Sequence, residues 1–240
     1  MRGKWGAEVT LRVRGGIVIL FAVAGVVGCL FAWRDSASRR RMREDSAPTI
    51  YKEAIVFASR TFDPAAPPAE MPPLGAGENA ECDSDFRSSA NVRGETRLMD
   101  ASHATVTVTQ VTVTLRLDIN IWLPIGAAPR VIEHEEGHQE ISEYYYQGAD
   151  KLARSIAAKY LGRKVDVSGA DLNAETNEML LKMANAITEE YGKELDPGPT
   201  QLLYDTITDH GRNDVVVKDA VDHALKNVSI EWMPPRASGN

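Results

Sequence analysis

The sequence predicts an α+β fold, a small β-sheet beside a long helix followed by a helical C-terminal half. Three patterns predict it. From Thr105 to Leu123 β-branched or apolar residues alternate with polar ones, the period-two signature of a half-buried strand. From Pro129 onward the apolar residues recur at helical spacing, in successive runs as far as Tyr191 and again in Gln201–Asn213. Between strand and helices, Pro124 and Gly126 supply the break. With 43% hydrophobic and 25% charged residues, the 240-residue chain has room for one main core. Its net charge of −7 and pI near 5.3 argue against a nucleic-acid partner, which calls for a basic face.

The chain is expected to divide into residues 1–33, a signal anchor or signal peptide; 34–80, a Pro- and Arg-rich tether; 81–230, the compact domain; and 231–240, a tail. Residues 17–33 are uncharged and apolar, with Arg2, Lys4, Arg12 and Arg14 before them and Arg34, Arg39, Arg40, Arg41 and Arg43 after. Together with Gly15 and Gly16 they reach the roughly 20 residues a membrane-spanning helix needs. An uncleaved anchor, a cleaved secretory signal and a lipoprotein signal at Val26-Val27-Gly28-Cys29 all fit. The expectation is a partner membrane through this segment, with the domain facing the periplasm or exterior; the alternatives are a secreted protein or a lipoprotein. Cys82 is the one thiol outside that segment, which leaves no intramolecular disulfide. Ile50–Phe62 reads as a short helix or a strand within the tether. Asp63–Gly77, rich in Pro, Ala and Gly, reads as extended chain. Glu78–Thr96 is polar with little periodicity, so the domain should start between Glu81 and Arg97.

In the strand region the alternation changes phase at Gln110-Val111, which predicts either one bulged strand or two strands meeting there. The helix starting near Pro129 carries Val131, Ile132, Ile141, Tyr144, Tyr145 and Leu152 on its apolar positions. Gly148 is expected to bend or end it before a second run, Asp150–Tyr160. A further helix spans about Asp171 to Tyr191, with Asp171 as N-cap and Leu172, Thr176, Met179, Leu180, Met183, Ile187 and Tyr191 on one stripe. Asp196-Pro197-Gly198-Pro199 then breaks the chain.

Early in the first helix lies His134-Glu135-Glu136-Gly137-His138, which matches HExxH. Residues four apart share a helix face, so His134 and His138 can offer two imidazole nitrogens to one metal ion. Glu135 can then reach a water without occupying a coordination position. This is the donor set of a zinc hydrolase; a solvated Glu- and His-rich helix face is the bland alternative. Gly137, a poor helix former, implies close approach by another element or space for a metal and substrate. A catalytic zinc site usually takes three protein ligands. His210, at the end of the Gln201–Asn213 helix, is the candidate for the third, against a plain role as a helix C-terminal histidine before Gly211.

HEEGH and the downstream block Tyr204-Asp205-Thr206-Ile207-Thr208-Asp209-His210-Gly211 together resemble the bacterial domain-of-unknown-function family numbered 922, described as secreted zinc-dependent proteases with HExGH and YDxxTxHG. The likeness runs from about Val92 to Gly211, and Val92-Arg93-Gly94-Glu95-Thr96 corresponds to a VxGxT element near the family's domain start. The resemblance implies a zincin-like metallopeptidase architecture around a metal-binding helix. It implies Zn²⁺ held by His134, His138 and His210, with Glu135 as general base and a peptide or protein as substrate. Tyr204 would stabilise an oxyanion, and Asp205 or Asp209 would orient a ligating imidazole. The rival expectation is a non-catalytic, membrane-anchored envelope protein of the same shape that uses the metal or an edge strand to bind a partner.

Overall fold

The computed structural model describes residues 47–75 and 77–228. The predicted signal or anchor segment, the first part of the tether and the tail lie outside the described residues. No helix among the described residues is long and apolar enough to cross a membrane. The chain is a mixed α/β protein with five strands and four helices among the described residues. In order these are β1 (Thr49–Lys52), β2 (Val56–Phe62), β3 (Glu81–Leu98), β4 (His103–Pro124), α1 (Pro129–Ala158), β5 (Lys164–Ser168), α2 (Leu172–Glu194), α3 (Gly198–Thr208) and α4 (Val217–Asn227).

The residues form two compact units. One gathers residues 47–50, Ser89–Val113 and Arg154–Thr188; the other gathers Tyr51–Ser88, Thr114–Ala153 and 189–228. In the first, β4 pairs antiparallel with β5, Ala104 opposite Val167 and Val106 opposite Val165. Gly94 of β3 lies so near β4 that a Cβ there would fall 2.8 Å from Val106 Cγ1 and 3.0 Å from the Thr107 carbonyl oxygen. Helix α2 starts as its sequence demands, the Asp171 carboxylate accepting from the main-chain N–H of Asn173 and Ala174, each at 3.0 Å. The stripe buries Thr176, Leu180, Ile187 and Tyr191.

The second unit holds the histidine motif. Here β4 pairs in parallel with β2, from Val56 opposite Asp118 to Phe62 opposite Pro124. Phe62, Met71 and Trp122 pack together on one side. Ala80, Ile121 and Leu123 pack with Val131 and Ile132 from the start of α1. Pro129 occupies the first helical position, where a missing N–H costs nothing. Arg130 fastens that first turn to the loop before α4, donating to the carbonyls of Asn213 and Val215.

Three expectations change. Residues 49–52 and 56–62, placed in the tether, are strands β1 and β2, and Met71 and Ala80 are buried, so the fold begins well before Glu81. Glu78–Thr96, read as polar with little periodicity, lies mostly in the 18-residue strand Glu81–Leu98, whose buried positions are Ser88, Ala90, Val92 and Gly94. Gly148 does not end the helix, because α1 runs unbroken for 30 residues. The phase change in β4 is present as expected: Thr109 and Gln110 are both exposed, and burial resumes at Val111 within one continuous strand.

Candidate metal centre

Helix α3 lies antiparallel along α1, and contacts between the two carry the site. Tyr145 Oη meets Thr200 Oγ1 at 2.6 Å, His138 meets Gln201, and Tyr204 and Thr208 meet His134. Gln201, Tyr204, Asp205 and Thr208 stand at i, i+3, i+4 and i+7, so α3 presents one face to α1 and that face is polar or amphipathic. Gly137 makes the approach feasible. A Cβ at that position would lie 2.1 Å from the Tyr204 hydroxyl, so close approach is the reason for the glycine.

The helices bring together His134, His138 and Asp205. Nε2 of His134 and Nε2 of His138 are 3.2 Å apart. Asp205 Oδ1 lies 3.3 Å from the first and 2.9 Å from the second. A tetrahedral ion with ligand bonds of about 2.0–2.1 Å requires ligand atoms about 3.3 Å apart. The observed triangle fits.

The outer nitrogens fix the tautomers. Thr208 Oγ1 donates to the Tyr204 carbonyl at 2.8 Å, which leaves its lone pair to accept from His134 Nδ1–H at 3.3 Å. His138 Nδ1–H donates to Gln201 Oε1 at 2.6 Å, and the Gln201 amide is held by the His138 carbonyl and Ser142 Oγ, each at 3.1 Å. Both Nε2 lone pairs therefore point at a carboxylate oxygen with no donor among the three. Only a cation or an added proton reconciles them. Burial lowers the pKa of His138, but Asp205 outweighs it and raises the net value. Burial raises that of Asp205, yet its hydrogen bonds to His134 and His138 hold it well below the ordinary range.

Glu135 is 5% exposed and lines the same cleft, a cavity of about 310 Å³. Burial, with added repulsion from Glu81 and Asp205, pushes its carboxyl up to about 7, against an opposing pull from His138. Across the cleft Glu81 is also pushed up to about 7, by burial and by Glu78, with which it shares a hydrogen bond. Cys82 lines the wall as a protonated thiol, since burial and the charge of Glu135 raise it to about 12. That excludes it as a resting nucleophile at neutral pH.

The cluster is not the set expected from the sequence. Asp205, expected to orient an imidazole, stands with His134 and His138 in the triangle that could hold a metal ion. His210 stands beside the triangle, half-buried, its buried Nδ1 3.8 Å from Asp205 Oδ1 and 3.8 Å from Glu78 Oε1 and without a hydrogen-bond partner among the described residues. It reaches the cleft because α3 ends in successive left-handed residues, Asp209, His210 and Gly211, at φ 48°, 51° and 75°. Tyr204, expected to stabilise an oxyanion, is fully buried. Its ring stacks on His134 at 5.1 Å and its hydroxyl donates to the His134 carbonyl at 3.1 Å, so it positions His134. Asp209 is exposed at the helix end and pairs with Arg212. Gln201, Glu78 and Glu81 were given no role from the sequence, and Thr208 was singled out only as the fixed threonine of the YDxxTxHG block. The spacing of Gln201 around Tyr204-Asp205 carried a further signal.

No family model, curated protein or solved structure matches the chain.

Proposed function

We propose that the chain is a zinc-dependent peptidase in which His134, His138 and Asp205 hold the metal and Glu135 is the general base. One observation carries the reading: three acceptor atoms with no donor among them converge at tetrahedral spacing, and the Glu135 carboxylate opens into the same cavity. When bound, zinc supplies the Lewis acidity that makes water a nucleophile near neutral pH. Glu135 accepts the proton of the attacking water at its carboxylate and passes it to the leaving amine. His210, beside the triangle, lines the same cavity.

A peptide is favoured over a smaller amide by the wall of the cleft. Residues 80–84 of the chain, including the start of β3, line it, and among the described residues β4 is the strand partner of β3. An extended substrate can add to the free edge through its main chain. The resemblance to the secreted protease family, HEEGH with YDTITDHG, agrees with this chemistry, and zincin-like architecture and an envelope location belong to the same proposal. The test is Glu135→Gln: metal content should stay at about one zinc per chain, while hydrolysis of a mixed peptide library falls at least about a hundredfold, as expected on losing a general base. Equal hydrolysis by both proteins would refute the assignment.

A further inference from the structure

A second cavity, about 560 Å³, adjoins the metal cleft. Asn79 and Val131 line both. Val131 precedes His134 by three residues and Glu135 by four, so it occupies the same face of α1 one turn earlier, about 5 Å along the axis. The remaining wall is apolar. Phe62, Met71 and Leu74 face it, together with prolines of the 64–73 segment and Ala127 and Ala128.

The wall is built rather than collapsed. Phe62 and Met71 are anchored in the cluster with Trp122. The proline segment is tied by Ala66 N–H to Asp63 O at 2.9 Å, Ala65 N–H to Asp63 Oδ1 at 2.9 Å and Met71 N–H to Pro68 O at 3.1 Å. Ile125 N–H donates to Phe62 O at 2.8 Å, which closes the other end. Prolines contribute no N–H and fix their own φ, so this surface is rigid and offers few donors to a polar guest. A concave apolar space of this size is the ordinary form of a side-chain or small-ligand pocket.

We infer that this proline-walled cavity binds a large apolar side chain of the peptide, one or two positions from the bond that is broken. The inference rests on the peptidase reading of the adjoining cleft. An extended peptide advances about 3.3 Å per residue, so the offset of one helical turn corresponds to one or two residues. Leucine or phenylalanine is the class of residue accepted there, and aspartate is rejected.

The test uses the full chain and a capped pentapeptide, Ala-Ala-X-Ala-Ala, with photoreactive benzoylphenylalanine at X, with and without added Zn²⁺. The adduct should map to Met71 or Leu74. The peptide with leucine at X should compete at least about tenfold better than the one with aspartate, as expected for burying one such side chain. Leu74→Asp and Ala128→Phe, both at the exposed rim, should each cut labelling by a similar factor, and circular dichroism would check their folding. Labelling elsewhere, including on residues 17–33 of the chain itself, no labelling, or equal competition by aspartate would overturn the inference. Hydrolysis is scored separately in the zinc-supplied samples. Pocket labelling without hydrolysis would defeat the peptidase reading alone, and hydrolysis with no apolar preference would defeat the pocket alone.

Discussion

At the level of single residues, the metal centre depends on which side chain completes the pair in HEEGH. Two members of the cluster, His134 and His138, and Glu135 beside them were legible in that pattern because a fixed i, i+4 spacing has one geometric outcome on a helix. The third was not, because Asp205 and His210 sit in one block and only the course of the chain after Thr208 decides between them. Asp205→Ala should lower zinc affinity at least about a hundredfold, whereas His210→Ala should leave it within a few-fold. Gln201→Ala, which frees the outer nitrogen of His138, should cost about 10- to 100-fold in affinity. Isothermal titration with zinc would separate the three. Gly137→Ala is the complementary case. In an open helix it would stabilise by up to about 1 kcal/mol. Here the added methyl would meet the Tyr204 hydroxyl, so a loss of about 1–3 kcal/mol in denaturant unfolding is expected, with weakened zinc binding.

At the level of elements, periodicity was readable wherever the buried positions carry large apolar side chains. Strand β4 and helices α1 and α2 meet that condition, with Val111–Leu123 alternating and Leu180 and Ile187 on the stripe. Strand β3 does not. Its buried positions are Ser88, Ala90, Val92 and Gly94, mostly too small to mark an apolar alternation, and at Gly94 a Cβ would crowd Val106. The proline segment failed for a related reason: its composition describes a loosely packed linker, but Phe62, Met71 and Trp122 give it a surface to pack on. Helix α2 offers a control for Gly137. Gly192 is exposed, and a Cβ there would have no neighbour within 4 Å. Gly192→Ala should therefore stabilise by about 0.5–1 kcal/mol, measured as a rise in the denaturation midpoint. Opposite signs for two helical glycines would show that α3, rather than helix propensity, dictates Gly137.

For the whole molecule, the concentration of buried acids makes stability depend on pH and on the metal. Glu135 and Glu81 rise from an ordinary 4.5 to about 7 in the folded chain. Between those values the folded state retains protons that the unfolded state has released. Their contribution is therefore fully present below 4.5 and is lost as pH rises through 7. The raised pKa of His138 acts in the same direction, its contribution present below 6.5 and lost at higher pH. Asp205, held low, contributes above 3.8 and loses its contribution as pH falls further. The metal-free protein should consequently have a lower Tm at pH 8 than at pH 5.5. Added Zn²⁺ should raise Tm more at pH 8 than at pH 6, because binding no longer competes with the protons. A zinc-induced shift independent of pH would contradict this linkage.

The most direct measurement is the zinc content of the purified full chain after dialysis against trace metal, read beside Asp205→Ala and His210→Ala. The wild-type chain and His210→Ala should each retain about one zinc, and Asp205→Ala should retain almost none. A wild-type chain that holds no zinc, or a loss in His210→Ala with retention in Asp205→Ala, would contradict the centre described by His134, His138 and Asp205.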